Sequence, residues 1–116
     1  MKDVIKHIET EKRTYPIVFN LNVMEEIQEH YGSMSAWGDV VADGEEPKIK
    51  DLKAGLMAMM NEAIDIENEE NGTNEAFVTS KQVGRILSEV GIGAITQVIQ
   101  SITVESTQTG DEPKNE

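Results

Sequence analysis

The chain has 116 residues, and its 22 acidic and 10 basic side chains give a formal net charge of -12. That length is typical of one domain with one core, and a surface this acidic repels phosphate backbones, which argues against nucleic-acid binding. The sequence has no cysteine, no N-terminal apolar core typical of a signal peptide, and no apolar run near the roughly 20 residues that span a bilayer. We therefore expect a protein of the cytoplasm.

The first twenty residues predict a short β-hairpin. Residues 4–8 form the first candidate strand, and the polar residues 9–13 form the loop. In the second strand every other residue is apolar, which is the period of a strand with one buried face. These residues are Tyr15, Ile17, Phe19 and Leu21. Because Pro16 cannot donate to a ladder, this strand should lie at a sheet edge or begin near this residue.

Two helices should follow the hairpin. Asn22 can cap the first helix, and Gly32 supplies its end. The second helix is short and has two candidate caps, Ser33 and Ser35. It should end in the Gly-, Glu- and Pro-containing loop at residues 43–47.

The third helix, from Lys48 to about Asn68, has the clearest helical periodicity in the chain. Its apolar residues step by three and four. They are Ile49, Leu52, Leu56, Met59, Ala63 and Ile66, and the stripe is widened by Met57, Met60 and Ile64. A stripe this wide is typical of a helix packed on two sides, or of one packed on one side and used for binding on the other. The acidic residues at 62, 65 and 69 are interpreted as a solvated face.

The last part of the chain predicts two more helices and a tail. Thr79, with Gln82 three residues later, forms a capping box for the fourth helix. Its inward residues are Val83, Ile86, Leu87 and Val90, and those of the fifth helix are Ile95, Val98, Ile99 and Ile102. Gly91 and Gly93 mark the break between them, and the polar residues 105–116 predict a disordered acidic tail.

The predicted fold is therefore α+β and mostly α, with a short N-terminal β-hairpin followed by four to five helices. We expect a single domain over residues 1–104 and the tail over residues 105–116.

No catalytic, cofactor or metal motif is found in the sequence. His7 and His30 lie on different predicted elements, and neither has a second His or a Cys at ligand spacing. Neither a nucleophile turn nor a phosphate-binding glycine loop is present. We therefore predict that the protein is not an enzyme, holds no cofactor or metal, and acts by binding another protein.

Candidate binding residues lie mainly on the third helix. Flexible methionines suit surfaces that accept varied apolar partners, and Met57 and Met60 are better candidates for exposure than Met59. Together with Ile64 and the only tryptophan, Trp37, they form the predicted protein-binding set. The alternative is that the methionines fill the core and that Trp37 pins its short helix to it.

Residues 19–33, FNLNVMEEIQEHYGS, resemble a segment of the tail assembly chaperones of long-tailed, siphovirus-like phages and prophages. In that family a strand runs into an acidic helix that ends in Tyr-Gly-Ser. The next short helix, the long Leu/Met helix and the helix at 79–90 are similar to the family's layout. The resemblance covers roughly residues 14–104.

The resemblance implies a non-enzymatic role in virion assembly. Such chaperones bind the tape measure protein, a long helical chain, and keep it soluble while the tail tube forms around it. It also implies the tail tube protein and a second copy of the chain as further partners, and a location in the cytoplasm of the bacterial host instead of the mature virion.

Two other classes stay open from the sequence. One is another phage tail or head–tail connector component, which would be found in purified virions. The other is an acidic inhibitor that mimics nucleic acid, although the carboxylates are spread among apolar stripes and do not form a regular double row.

Overall fold

A computed structural model of the chain describes residues 4–42 and 48–110. Within them a two-stranded antiparallel sheet is followed by five helices, which confirms the predicted class, α+β and mostly α. The elements are β1 (Ile5–Glu9), β2 (Thr14–Val18), α1 (Leu21–Tyr31), α2 (Met34–Ala42), α3 (Ile49–Asn71), α4 (Ser80–Val90) and α5 (Ile92–Gly110). The predicted loop at 43–47 and residues 111–116 of the predicted tail lie outside the described residues.

The hairpin is buried more deeply than its sequence predicts. β1 pairs with β2 in a register that sets Ile5 opposite Val18 and His7 opposite Pro16. Ile17 and Val18 point to opposite faces of β2, yet both are fully buried. The predicted single buried face is therefore wrong: β2 packs on α3, and residues on both of its faces are buried.

The first helix begins earlier than predicted. Asn20, not Asn22, is its cap, and the Asn20 side chain accepts a hydrogen bond from the Val23 amide. Leu21, predicted to lie on the buried face of β2, is instead the first residue of α1 and is exposed. Gly32 ends the helix at a φ of 91°, which only glycine adopts without strain.

Helix α3 is the centre of the fold. It packs against β2, α1, α2 and α4, so the interpretation of a helix packed on more than one side is confirmed. Its buried residues are Leu52, Gly55, Leu56, Met59, Met60, Ala63 and Ile64. Ile49, predicted as part of the stripe, is exposed near the first turn.

The last two helices follow the predicted signals. Thr79 and Gln82 form the reciprocal capping box, and Gly91 separates α4 from α5 at a φ of 101°. Helix α5 continues past the predicted start of the tail, to Gly110. At the start of the predicted tail, Glu105 pairs with Lys6 of β1 at 3.0 Å, and Ser106 is fully buried.

No single helix among the described residues is long and apolar enough to cross a bilayer. The pair Ser80–Val90 and Ile92–Ser106 reaches that length and composition only together, and it is bent by 106°.

Candidate functional site

Three of the four predicted binding residues lie in the core. Trp37, Met60 and Ile64 have exposed fractions of 3%, 0% and 2%, so the expectation that Met60 is exposed is wrong. The reason is that α3 is covered by several elements at once, which uses most of its wide apolar stripe for packing. Met57 alone is partly exposed, at the edge of the core. A role of the four residues in binding stays a prediction.

Trp37 joins α2 to the core through a close approach to α3. Its ring lies over Gly55, and a Cβ at that position would be 2.3 Å from two of the ring carbons. The Tyr31 ring packs beside it, with the ring centroids 5.3 Å apart. Trp37 therefore has the pinning role that the sequence left as the alternative.

Met57 lies in a groove between α1 and α3. Two adjoining cavities, with volumes of about 380 and 300 Å³, share Glu26, Ala54, Met57 and Ala58. We call the combined surface the α1–α3 groove. Its lining residues are Asn22, Val23, Glu26, Ile27, Glu29, His30 and Tyr31 from the α1 side, Ala54, Gly55, Met57, Ala58, Asn61, Glu62 and Asp65 from α3, and Phe77 from the connection to α4.

The floor of the groove is one stripe of α3. The residues of this stripe form two pairs that are each four apart, and such pairs lie on the same face of a helix. They are Ala54 with Ala58 and Met57 with Asn61. The two alanines leave room above the helix backbone, while the flexible Met57 thioether provides an apolar centre. Phe77, with 53% of its surface exposed, adds a large apolar side chain at one end.

Carboxylates line the rim of this floor. Glu26 and Glu29 come from α1, while Glu62 and Asp65 come from α3. Among the described residues, Glu26, Glu29 and Asp65 take part in no ion pair. The groove therefore combines a floor of small and apolar side chains, with Asn61 at one end, with carboxylates that pair with no Lys or Arg in the described part of the chain.

One rim carboxylate also ties the two walls together. Glu62 Oε2 accepts hydrogen bonds from Asn20 Nδ2 at 2.9 Å and from Asn22 Nδ2 at 3.0 Å. Glu62 is thus more than part of the solvated face that the sequence predicted. It fixes the start of α1 against α3, which sets the width of the groove at that end.

Asparagines of α3 hold the connection that carries Phe77. The Asn61 amide donates to the Val78 carbonyl at 3.2 Å and accepts from the Val78 amide at 2.8 Å. Asn68 bonds the backbone of Glu75 in the same two-way manner, at 3.1 and 2.9 Å. Because Val78 is buried while Phe77 is not, these bonds position the exposed ring at the end of the groove.

Side chains near the end of α1 line the opposite end of the groove. Tyr31 donates its hydroxyl proton to the backbone carbonyl of Asp51, and His30 Nε2 lies 3.4 Å from the Asp51 carboxylate. Burial, together with the nearby Asp51 charge, raises the pKa of the Tyr31 hydroxyl well above its usual value. The hydroxyl thus stays protonated and keeps donating through the neutral pH range.

Trp37 also borders a second, smaller hollow. It lies between α2 and α5, has a volume of about 170 Å³ and is almost wholly apolar, with the half-exposed Val104 at its edge. Because none of its lining residues in the described part of the chain is charged, this hollow offers a partner less specificity than the α1–α3 groove.

The groove residues that sequence reasoning missed are Ala54, Ala58 and Glu26. The signal available was the pair of small residues four apart on α3, on the same side as Met57. Periodicity does not tell which neighbour faces that side, so the juxtaposition with Glu26 of α1 required the tertiary structure.

Within residues 4–42 and 48–110, no group of three or more His, Cys, Asp or Glu side chains is arranged to hold a metal ion. Comparison of the chain with models of protein families, with curated protein sequences and with solved structures finds no match.

Proposed function

We propose that this protein is a tail assembly chaperone of a long-tailed phage or prophage. In this role it binds the tape measure protein in the host cytoplasm and keeps it soluble while the tail tube assembles. It works by binding and not by catalysis, and it is absent from the mature virion.

The observation that carries this proposal is where the family-like segment lies. Residues 19–33, which resemble the chaperone family, form α1 and its two ends. The same segment supplies one complete wall of the α1–α3 groove. A segment with this resemblance on the wall of a partly apolar groove is consistent with a client-binding role.

Charge gives the proposal a second, physical support. A holder of an aggregation-prone chain must stay soluble while it presents apolar surface, and a net charge of -12 favours solubility. Met57 and Phe77 present that apolar surface within an acidic surround. Solubility and client contact are thus provided by different side chains of the same groove.

The test is co-expression with the tape measure protein of the same genome. We expect the client to be soluble and to co-purify with the chaperone, and to form inclusion bodies without it. The variant Met57→Asp should lose co-purification while keeping its circular dichroism spectrum, because Met57 is only partly buried. Ser88→Asp, which adds the same charge at an exposed position of α4 outside the groove, is the matched control.

Met60 is unsuited to this test, although the sequence favoured it. An aspartate at that fully buried position would be an unpaired charge in the core, so Met60→Asp should unfold the protein and report only on folding.

Two outcomes would count against the proposal. A tape measure protein that is equally soluble with and without this chain would remove the chaperone role. Detection of the chain in purified virions by mass spectrometry would favour a tail or head–tail connector component instead.

A further inference from the structure

We infer that the α1–α3 groove binds a cationic amphipathic α-helix, with the apolar stripe of that helix over Met57 and its Lys and Arg side chains against the acidic rim. This inference deepens the proposed function and rests on it only in assigning the helix to the client. The chemistry of the groove specifies the kind of segment that it takes.

The walls of the groove favour a helix over an extended segment. Both long walls are helices, α1 and α3, whose backbone groups are already bonded within each helix. An extended peptide that binds by strand addition needs a free strand edge, which neither helix provides. A helical ligand satisfies its own amides and carbonyls internally and needs only side-chain contacts, which are what the groove offers.

The floor has the shape that a third helix requires. Small side chains at Ala54 and Ala58 allow a partner to approach the α3 backbone closely, with Met57 between them as an adaptable apolar contact. From Ala54 at the floor to Asp65 at the rim, the groove runs along ~16 Å of α3, at about 1.5 Å per residue. That length accommodates about three turns of a ligand helix, and the exposed Phe77 ring supplies an apolar contact at one end.

The rim determines the sign of the partner's charge. Glu26 and Glu29 line the groove on the α1 wall, and Asp65 lines it on the α3 wall. Within the described residues, none of these three carboxylates is in an ion pair. A ligand with flanking Lys or Arg would place opposite charges at both edges, whereas an acidic helix would be repelled there. Complementary charge on both sides also sets the rotation of the ligand helix about its axis.

The test uses synthetic peptides and the whole chain. A fluorescein-labelled Leu/Lys amphipathic helix of about 18 residues, about five turns, is compared with a Leu/Glu helix of the same apolar pattern. Fluorescence anisotropy should show binding of the Lys peptide and none of the Glu peptide. The affinity should fall between about 0.02 and about 0.3 M salt, because the rim charges are exposed and become screened.

Neighbouring carboxylates provide matched variants. The rim pair, Glu26→Lys with Asp65→Lys, reverses two charges that line the groove. The control pair, Glu25→Lys with Glu69→Lys, reverses two charges on the same two helices outside the groove. We expect the rim pair to weaken binding of the Lys peptide by about tenfold or more and the control pair by about threefold or less. Equal losses in the two pairs would mean that only the overall charge attracts the peptide, and the inference would be overturned. Binding of the Glu peptide as tightly as the Lys peptide would also overturn it.

The same variants separate this inference from the proposed function. If the two variant pairs lose Lys-peptide binding equally while the tape measure protein still co-purifies and stays soluble, the groove inference fails and the chaperone role stands. If the Lys peptide binds as expected but the tape measure protein is not retained, the proposed client fails and the groove chemistry stands.

Discussion

Gly55 lies in the interior of α3, where glycine weakens a helix by about 0.8–1.0 kcal/mol relative to alanine. Its position is explained by the Trp37 ring, because an added Cβ would be 2.3 Å from Cη2 and Cζ3 of that ring. Gly84, inside α4, is the natural comparison. A Cβ there would meet only the end of the flexible Lys53 side chain, at 3.4 Å. We therefore expect Gly55→Ala to destabilise the protein and Gly84→Ala to stabilise it.

The size of the difference follows from the contact distances. Carbon atoms pack at about 3.5–4.0 Å, so the Trp37 ring must move by more than about 1 Å, whereas Lys53 can swing away into solvent. Overpacking of this kind costs about 1–3 kcal/mol. After the gain in helix propensity, Gly55→Ala should lose up to about 2 kcal/mol, while Gly84→Ala should gain about 0.5–1 kcal/mol. Complete expulsion of the ring sets the upper limit, about 4–6 kcal/mol for about 150–250 Å² of apolar surface.

Urea unfolding followed by circular dichroism measures both free energies. In thermal unfolding the midpoint of Gly55→Ala should lie below that of Gly84→Ala, by roughly 4–8 °C for each kcal/mol that separates them in a domain of about 100 residues. Trp37 is the only tryptophan, so its emission reports the local change. It should shift to longer wavelength in Gly55→Ala and stay unchanged in Gly84→Ala.

A double variant tests the cause directly. In a Trp37→Leu background the clash is absent, so Gly55→Ala should become neutral or stabilising by up to about 1 kcal/mol. The reasoning is refuted if Gly55→Ala is as stable as Gly84→Ala in the parent chain, or if its cost is unchanged when Trp37 is replaced.

Two further predictions follow from the groove's ends. Asn61→Ala should lower the free energy of unfolding by about 1–3 kcal/mol, because it leaves the buried Val78 backbone without its two side-chain hydrogen bonds. Urea unfolding measures this loss. The control Asn71→Ala, at an exposed position of the same helix, should lose much less. Because burial and Asp51 raise the Tyr31 pKa, the folded state holds its proton more tightly than the unfolded chain, whose tyrosine pKa is about 10. Its contribution to stability is thus complete below that pH and declines above it. Urea midpoints measured from neutral pH to about pH 11 should therefore fall less steeply at the alkaline end in Tyr31→Phe, and equal slopes would contradict the burial of this hydroxyl.

Local signals in the sequence predicted the elements well. The capping box at Thr79 and the glycine stop at Gly32 depend on residues within one turn of each other, so periodicity and cap chemistry suffice to find α1 and α4. The errors occurred where two local solutions compete. Asn20 and Asn22 can each cap a helix, and the structure uses Asn20. The Asn20 side chain also bonds Glu62, which is 42 residues away in the sequence.

The candidate site shows the same limit more sharply. Met57 and Met60 have the same chemistry and lie one turn apart, yet one lines the groove and the other is fully buried. Likewise Ile17 and Val18 are both buried although strand alternation predicts only one.

The sequence by itself determined the acidic surface, the mostly helical class and the order of the helices, because these depend on composition and on neighbours within a few residues. Only the tertiary structure decided which part of the α3 stripe stays accessible, because burial depends on elements brought over from distant parts of the chain. The predicted binding surface on α3 was thereby reduced from Met57, Met60 and Ile64 to Met57, set between alanines and faced by the carboxylates of α1.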